Sequence, residues 1–113
     1  MVVRYATAVM LTIALGASAC GSDTPARPNE RQRQAAFAEL TRTVGGINPT
    51  LEEFIAINYA RFVDELQNTC EGGADEWFAS NLERFAKWND VTTSEATLTN
   101  DALRKFRHDG VCG

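Results

Sequence analysis

Three cysteines carry the chemistry that this sequence most plainly offers, and each type of reaction open to them depends on compartment. Cys20, Cys70 and Cys112 are the full set in 113 residues. Cysteine can accept a thioether-linked lipid, pair as a disulfide, ligate a metal or act as a nucleophile, and the surrounding residues decide which. Cys20 follows Leu15-Gly16-Ala17-Ser18-Ala19, and that stretch follows an apolar run from Tyr5 to Leu15 with Arg4 ahead of it. A basic residue, an apolar run and small residues before a cleavage point form the grammar of an export signal. Ending on cysteine, the signal reads as that of a lipoprotein, with Cys20 as the acylated residue, although Ala17 stands where leucine is usual. Ala17-Ser18-Ala19 would also suit ordinary signal peptidase, which would release a soluble protein beginning at Cys20. A retained membrane span is the least favoured reading, because the apolar run falls short of the roughly 20 residues a spanning helix needs.

Cysteine arithmetic favours the lipoprotein. Export to an oxidising compartment makes a disulfide the expectation for Cys70 and Cys112, 42 positions apart. Lipidation then removes Cys20, the odd thiol. Closing such a loop would stabilise a small domain by at most about 4 kcal/mol. There is no Cys-x-x-Cys, and the single histidine, His108, is too little company for a zinc site, so no metal or other cofactor is expected.

Other reactive groups have plainer readings. His108 could serve as a general base, but near a helix C-terminus a cation simply favours the negative end of the dipole. Asp64 with Glu65 and Asp75 with Glu76 are adjacent, and adjacent helical residues point apart, so neither pair converges as an acid and base. Gly-x-Ser-x-Gly, His-Glu-x-x-His, a phosphate loop and a calcium loop are all missing from the sequence. No catalytic residue is expected. The aromatic load on one segment points instead to binding. Trp77 and Trp88, about three helical turns apart, and their neighbour Phe78 are the candidate contacts for a partner, against the plainer reading of half-buried rings wrapping a small core.

These residues need elements to hold them. Removing residues 1–19 takes away one cation, Arg4, so ten basic side chains face fifteen acidic ones, a net charge of about minus five. That balance argues against nucleic acid as a partner. Division at 1–19, 20–33 and 34–113 gives a signal, a lipidated cysteine with a flexible tether, and a helical domain. Gly21 to Asn29, with two prolines and no large apolar side chain, could span about 30 Å when extended. The pattern turns helical from Glu30, with Ala36, Phe37, Leu40 and Val44 on one face and Gly45-Gly46 as the stop. A second helix is expected from about Leu51 to Cys70, capped by Thr50 with Glu53 and blocked behind by Pro49. Its broad apolar surface, from Leu51 through Leu66, makes it the expected centre of the core. A third runs from about Asp75 to Asn89. A fourth starts at the Thr92-x-x-Glu95 box and stops at Gly110. No segment alternates at the strand period, so the expected fold is all-α, four helices cross-linked from the end of the second to the C-terminus.

Phe37-Ala38-Glu39-Leu40, Gly46-Ile47, Cys70-Glu71-Gly72 and Val111-Cys112-Gly113 together resemble a family of small exported helical proteins of actinobacteria, of mycobacterial type. The resemblance spans residues 36–113. It implies a two-cysteine helical domain, often borne by lipoproteins, with no assigned activity and no catalytic residue. Gly113 departs from it, since proline is common there, and so does the aromatic segment from Trp77 to Trp88. The resulting expectation is a non-enzymatic lipoprotein on the outer face of the cell membrane, held through the Cys20 lipid anchor, that binds an envelope protein. Two alternatives are a prophage-encoded surface lipoprotein that excludes superinfecting phage and a carrier of a small apolar ligand; as a released protein it would be soluble and secreted.

Overall fold

The computed structural model describes residues 26–113, and the stretch read as an export signal lies outside them, as does Cys20. The described chain forms α1 (Glu30–Gly45), α2 (Pro49–Ile57), α3 (Tyr59–Gln67), α4 (Ala74–Ala86) and α5 (Thr93–Phe106). It closes in a wide π-helical turn, Arg107–Cys112. The fold is all-α, with five helices where four are expected from sequence.

The starts of α1, α2 and α5 are each set by a short polar side chain that satisfies otherwise orphaned amides, whereas α3 and α4 begin after Asn58 and Gly73 with no side-chain cap. Asn29 caps α1: its side chain accepts from the Gln32 amide while the Gln32 side chain accepts from the Asn29 amide, both at 2.8 Å. Residues 30–33 are therefore the first turn of α1, as the helical pattern from Glu30 implies, although the division at 33 places them with the tether. At α2 the cap is Asn48, two residues ahead of the expected Thr50, and Pro49 occupies the first helical position, where its missing N–H costs nothing. Asn48 Oδ1 accepts from the amides of Thr50 and Leu51, and its Nδ2 donates to the Asp90 carbonyl (2.8 Å) and Glu95 Oε1 (3.0 Å). Glu95 also completes the expected box with Thr92 at the start of α5. One buried amide thus ties two helix starts together. The Thr92 amide, and then the Asn48 side chain, hold the Glu95 carboxyl below the usual carboxylate range.

The long second helix is broken at Asn58. Its Nδ2 donates to the Phe54 carbonyl at 2.8 Å, the acceptor its own backbone N–H also uses, and its backbone (φ −102°, ψ 25°) leaves the helical region. The break explains the breadth of the apolar surface. Two helices each bury a narrow stripe, Leu51 and Ile55 on α2 and Phe62, Val63 and Leu66 on α3. These meet Leu40 and Val44 of α1, Phe78 and Phe85 of α4, and Leu103 and Phe106 of α5 in one core.

The C-terminus turns differently from the expected glycine stop. Gly110 carries no positive φ and lies buried inside the π turn. A Cβ there would stand 2.9 Å from the Ala36 Cβ and 3.3 Å from the Arg33 Cα, so glycine is required by the close approach of the turn to α1. Arg33 Nε donates to the Gly110 carbonyl at 3.1 Å across the same contact. Val111 is driven fully into the core, and Cys112 reaches Cys70 in the disulfide, with Cα atoms 5.3 Å apart. Arg107 adds two hydrogen bonds from the turn to Thr69, to Oγ1 at 2.7 Å and to the carbonyl at 2.9 Å.

Gly110→Ala should lower unfolding free energy by about 1–3 kcal/mol in urea denaturation, the usual cost of forcing a methyl group into a packed contact. Gly46→Ala is the control: its φ of −75° suits alanine and a Cβ there meets nothing closer than 3.5 Å, so its stability should be unchanged or slightly raised.

Candidate functional site

The candidate partner contacts do not form one patch. Trp77, in the first turn of α4, is half-buried and packs edge-to-face on Phe62 (6.1 Å between centroids) and Phe78 (4.9 Å). Trp88 lies beyond the end of α4, against Phe54 (4.8 Å) and Phe85 (5.6 Å). The helix expected to carry both rings on one side stops at Ala86, after which the backbone tightens through bonds from Trp88 to Phe85 and from Val91 to Trp88. Phe54 also meets Phe62 edge-to-face at 5.9 Å, so the two tryptophans end a chain of stacked rings that runs through the core. Phe78 is 1% exposed and is covered by the Arg104 guanidinium, 4.2 Å from its ring centroid, which removes it as a surface contact.

Of these residues, Trp77 alone lines a sizeable cleft. The cleft opens between α3 and α4, holds about 560 Å³, and is walled by Glu65, Asn68, Gly73, Trp77, Ser80 and Arg84. Trp77 Nε1 donates to Glu65 Oε1 at 3.1 Å, which locks the indole across the cleft. Arg61 Nε bonds the other Glu65 oxygen at 3.0 Å, so this carboxylate is already paired. Asn68, Glu76 and Ser80 stand exposed at its margin.

The floor is a buried amide relay. Asn81 Nδ2 donates to Asn100 Oδ1 (2.9 Å), Asn100 Nδ2 donates to the Phe78 carbonyl (2.9 Å), and an Arg84 guanidinium nitrogen donates to Asn81 Oδ1 (2.6 Å). Both asparagines are buried, so the relay fixes the register of α4 on α5 and thereby places Trp77, Ser80 and Arg84 along one wall. Arg84 Nε is buried there without an acceptor among the described residues. Sequence reasoning missed Ser80, Asn81 and Arg84. Their signal was the spacing from Trp77, three, four and seven residues on, which sets polar groups beside the indole on one helical face.

The remaining reactive groups stay apart. His108 is exposed, with Nδ1 3.0 Å from Asp109 Oδ1; its hydrogen bond, followed by that of Lys105, holds the Asp109 carboxyl below the usual range. Asp64 is exposed while Glu65 turns to Trp77, and Asp75 lies 3.9 Å from Arg104 while Glu76 faces the cleft margin. Among the described residues, no three His, Cys, Asp or Glu side chains gather as a metal site, and no helix is long and apolar enough to cross a membrane. A small apolar recess beside Leu40, Ala102 and Phe106 measures about 40 Å³.

Asn100→Ala should cost about 2 kcal/mol or more in urea unfolding, because it strands the Asn81 amide inside the core. Ser80→Ala, at the exposed margin, should stay within about 0.5 kcal/mol of the parent. Compared with known proteins, the chain matches no family model, no curated protein and no solved structure.

Proposed function

We propose that this protein is a non-enzymatic lipoprotein of the cell envelope, anchored through Cys20 at the outer face of the membrane, whose helical domain binds another envelope component. The observation that carries this reading is the pairing of Cys70 with Cys112, since it leaves Cys20 as the odd cysteine directly after an apolar run and four small residues. A disulfide suits an oxidising compartment, and acylation is the fate that leaves an exported chain with no free thiol. The binding role is supported by the α3–α4 cleft with its fixed indole, and by reactive side chains that diverge instead of converging.

Intact-mass spectrometry of protein isolated from the producing cells should find a diacylglyceryl group on Cys20, a cystine at Cys70 and Cys112, and no alkylatable thiol. Photo-crosslinking from position 80 in intact cells should capture an envelope component, and a Cys20→Ser variant should lose that product. An unmodified Cys20 in a soluble protein would overturn the anchor. Equal capture with and without Cys20 would overturn the dependence of binding on it.

A further inference from the structure

We propose that the α3–α4 cleft is a saccharide site that takes a neutral, hydroxyl-rich glycan segment. This inference rests on the reading of the domain as a binding module and names the chemistry of what it binds.

The cleft, at about 560 Å³, falls within the size range of small-ligand sites, with room for more than one sugar ring. Its aromatic wall is immobilised in advance. The Trp77 indole is held by Glu65 through Nε1 and braced edge-on by Phe62 and Phe78, so little side-chain entropy is lost when a ligand packs on it. The face of an indole carries negative charge density, and the C–H groups on one side of a sugar ring are weakly positive, so the two stack. Around this wall stand the Asn68 amide, the Ser80 hydroxyl, the Glu76 carboxylate and the Arg84 guanidinium. Together they supply donors and acceptors in close company, which suits hydroxyl groups that are both at once.

Charge excludes the main competitors. Glu65 is neutralised by Arg61, and Glu76 and Arg84 carry opposite signs on the same face of α4, so the cleft has no net field that would select a polyanion or a polycation. It also lacks the continuous apolar stripe on which an amphipathic partner helix would dock. Arg84 holds one guanidinium arm on Asn81, which fixes its place in the cleft wall, and its Nε–H is closed off from solvent and is not among the donors offered to a ligand.

The test uses full-length protein purified from the producing cells in a zwitterionic detergent without sugar head groups. Fully N-acetylated chitotetraose, maltotetraose and mannotetraose, all uncharged, serve as probes, read by saturation-transfer NMR and by tryptophan fluorescence. At least one should bind saturably with Kd of about 1 mM or tighter. Trp77→Ala and Ser80→Leu, the second filling the cleft from its exposed margin without touching the core, should each weaken that binding at least about tenfold, while Trp88→Ala should leave it within about twofold. Far-ultraviolet circular dichroism checks that Trp77→Ala keeps its helices, and Ser80→Leu decides the matter if it does not. Absence of saturable binding by all three probes, or binding that survives Ser80→Leu, would overturn the saccharide site. Capture of a protein from position 80 without glycan binding would overturn it too and leave the binding-module reading intact. Glycan binding by a chain that lacks a lipid on Cys20 would uphold the site and overturn the anchor.

Discussion

The covalent link between Cys70 and Cys112 joins the end of α3 to the turn that closes the chain, and much of the packing converges on that junction. Arg107 bonds the hydroxyl and carbonyl oxygens of Thr69 one residue from the first cysteine, and Val111 enters the core one residue from the second. For the turn to reach Cys70 it must pass across α1, and it does so at Gly110, where only a missing side chain permits the approach to Ala36. The π-helical geometry follows from the same demand. It carries Val111 into the core and Cys112 to Cys70, the return expected from sequence, through a continuous π turn in place of a glycine stop. In a domain this small, a cross-link worth up to about 4 kcal/mol is comparable with the whole margin of stability.

Much of this was legible in the sequence because it is local. The all-α class, the Thr92–Glu95 box, the pairing of the two cysteines and the apolar faces of α1 and α5 follow from spacing and from polar residues at helix starts. What escaped prediction depends on choices made by tertiary contacts. Thr50 and Asn48 are both competent caps, and Asn48 wins because its amide also reaches Asp90 and Glu95 on the far side of the chain. Asn58 is an ordinary mid-helix residue by pattern, and at the break its side chain and its own backbone N–H share the Phe54 carbonyl. Gly110 looks like a helix stop, and its reason is a neighbour 74 positions earlier in the chain, Ala36.

The cleft shows the same division. Trp77 was visible as an aromatic residue worth a function, but its pairing with Trp88 assumed a helix longer than the one that forms. Its true company is polar, set by a relay of asparagines whose burial no periodicity reveals. Phe78 and Phe85 are buried in the core, and both indoles stay half-buried at its edge, Trp77 against Phe62 and Phe78 and Trp88 against Phe54 and Phe85; of the two, Trp77 lines the cleft.

Hydrogen exchange measured on the oxidised protein and on the same protein after mild reduction tests the central claim most directly. If the cross-link holds the closing turn in place, reduction should raise exchange at the amides of Arg107 to Gly113 and around Thr69 first, while the α4–α5 amides near Asn81 and Asn100 keep their protection. Unchanged protection of the closing turn after reduction would show that packing alone holds it and would contradict the account.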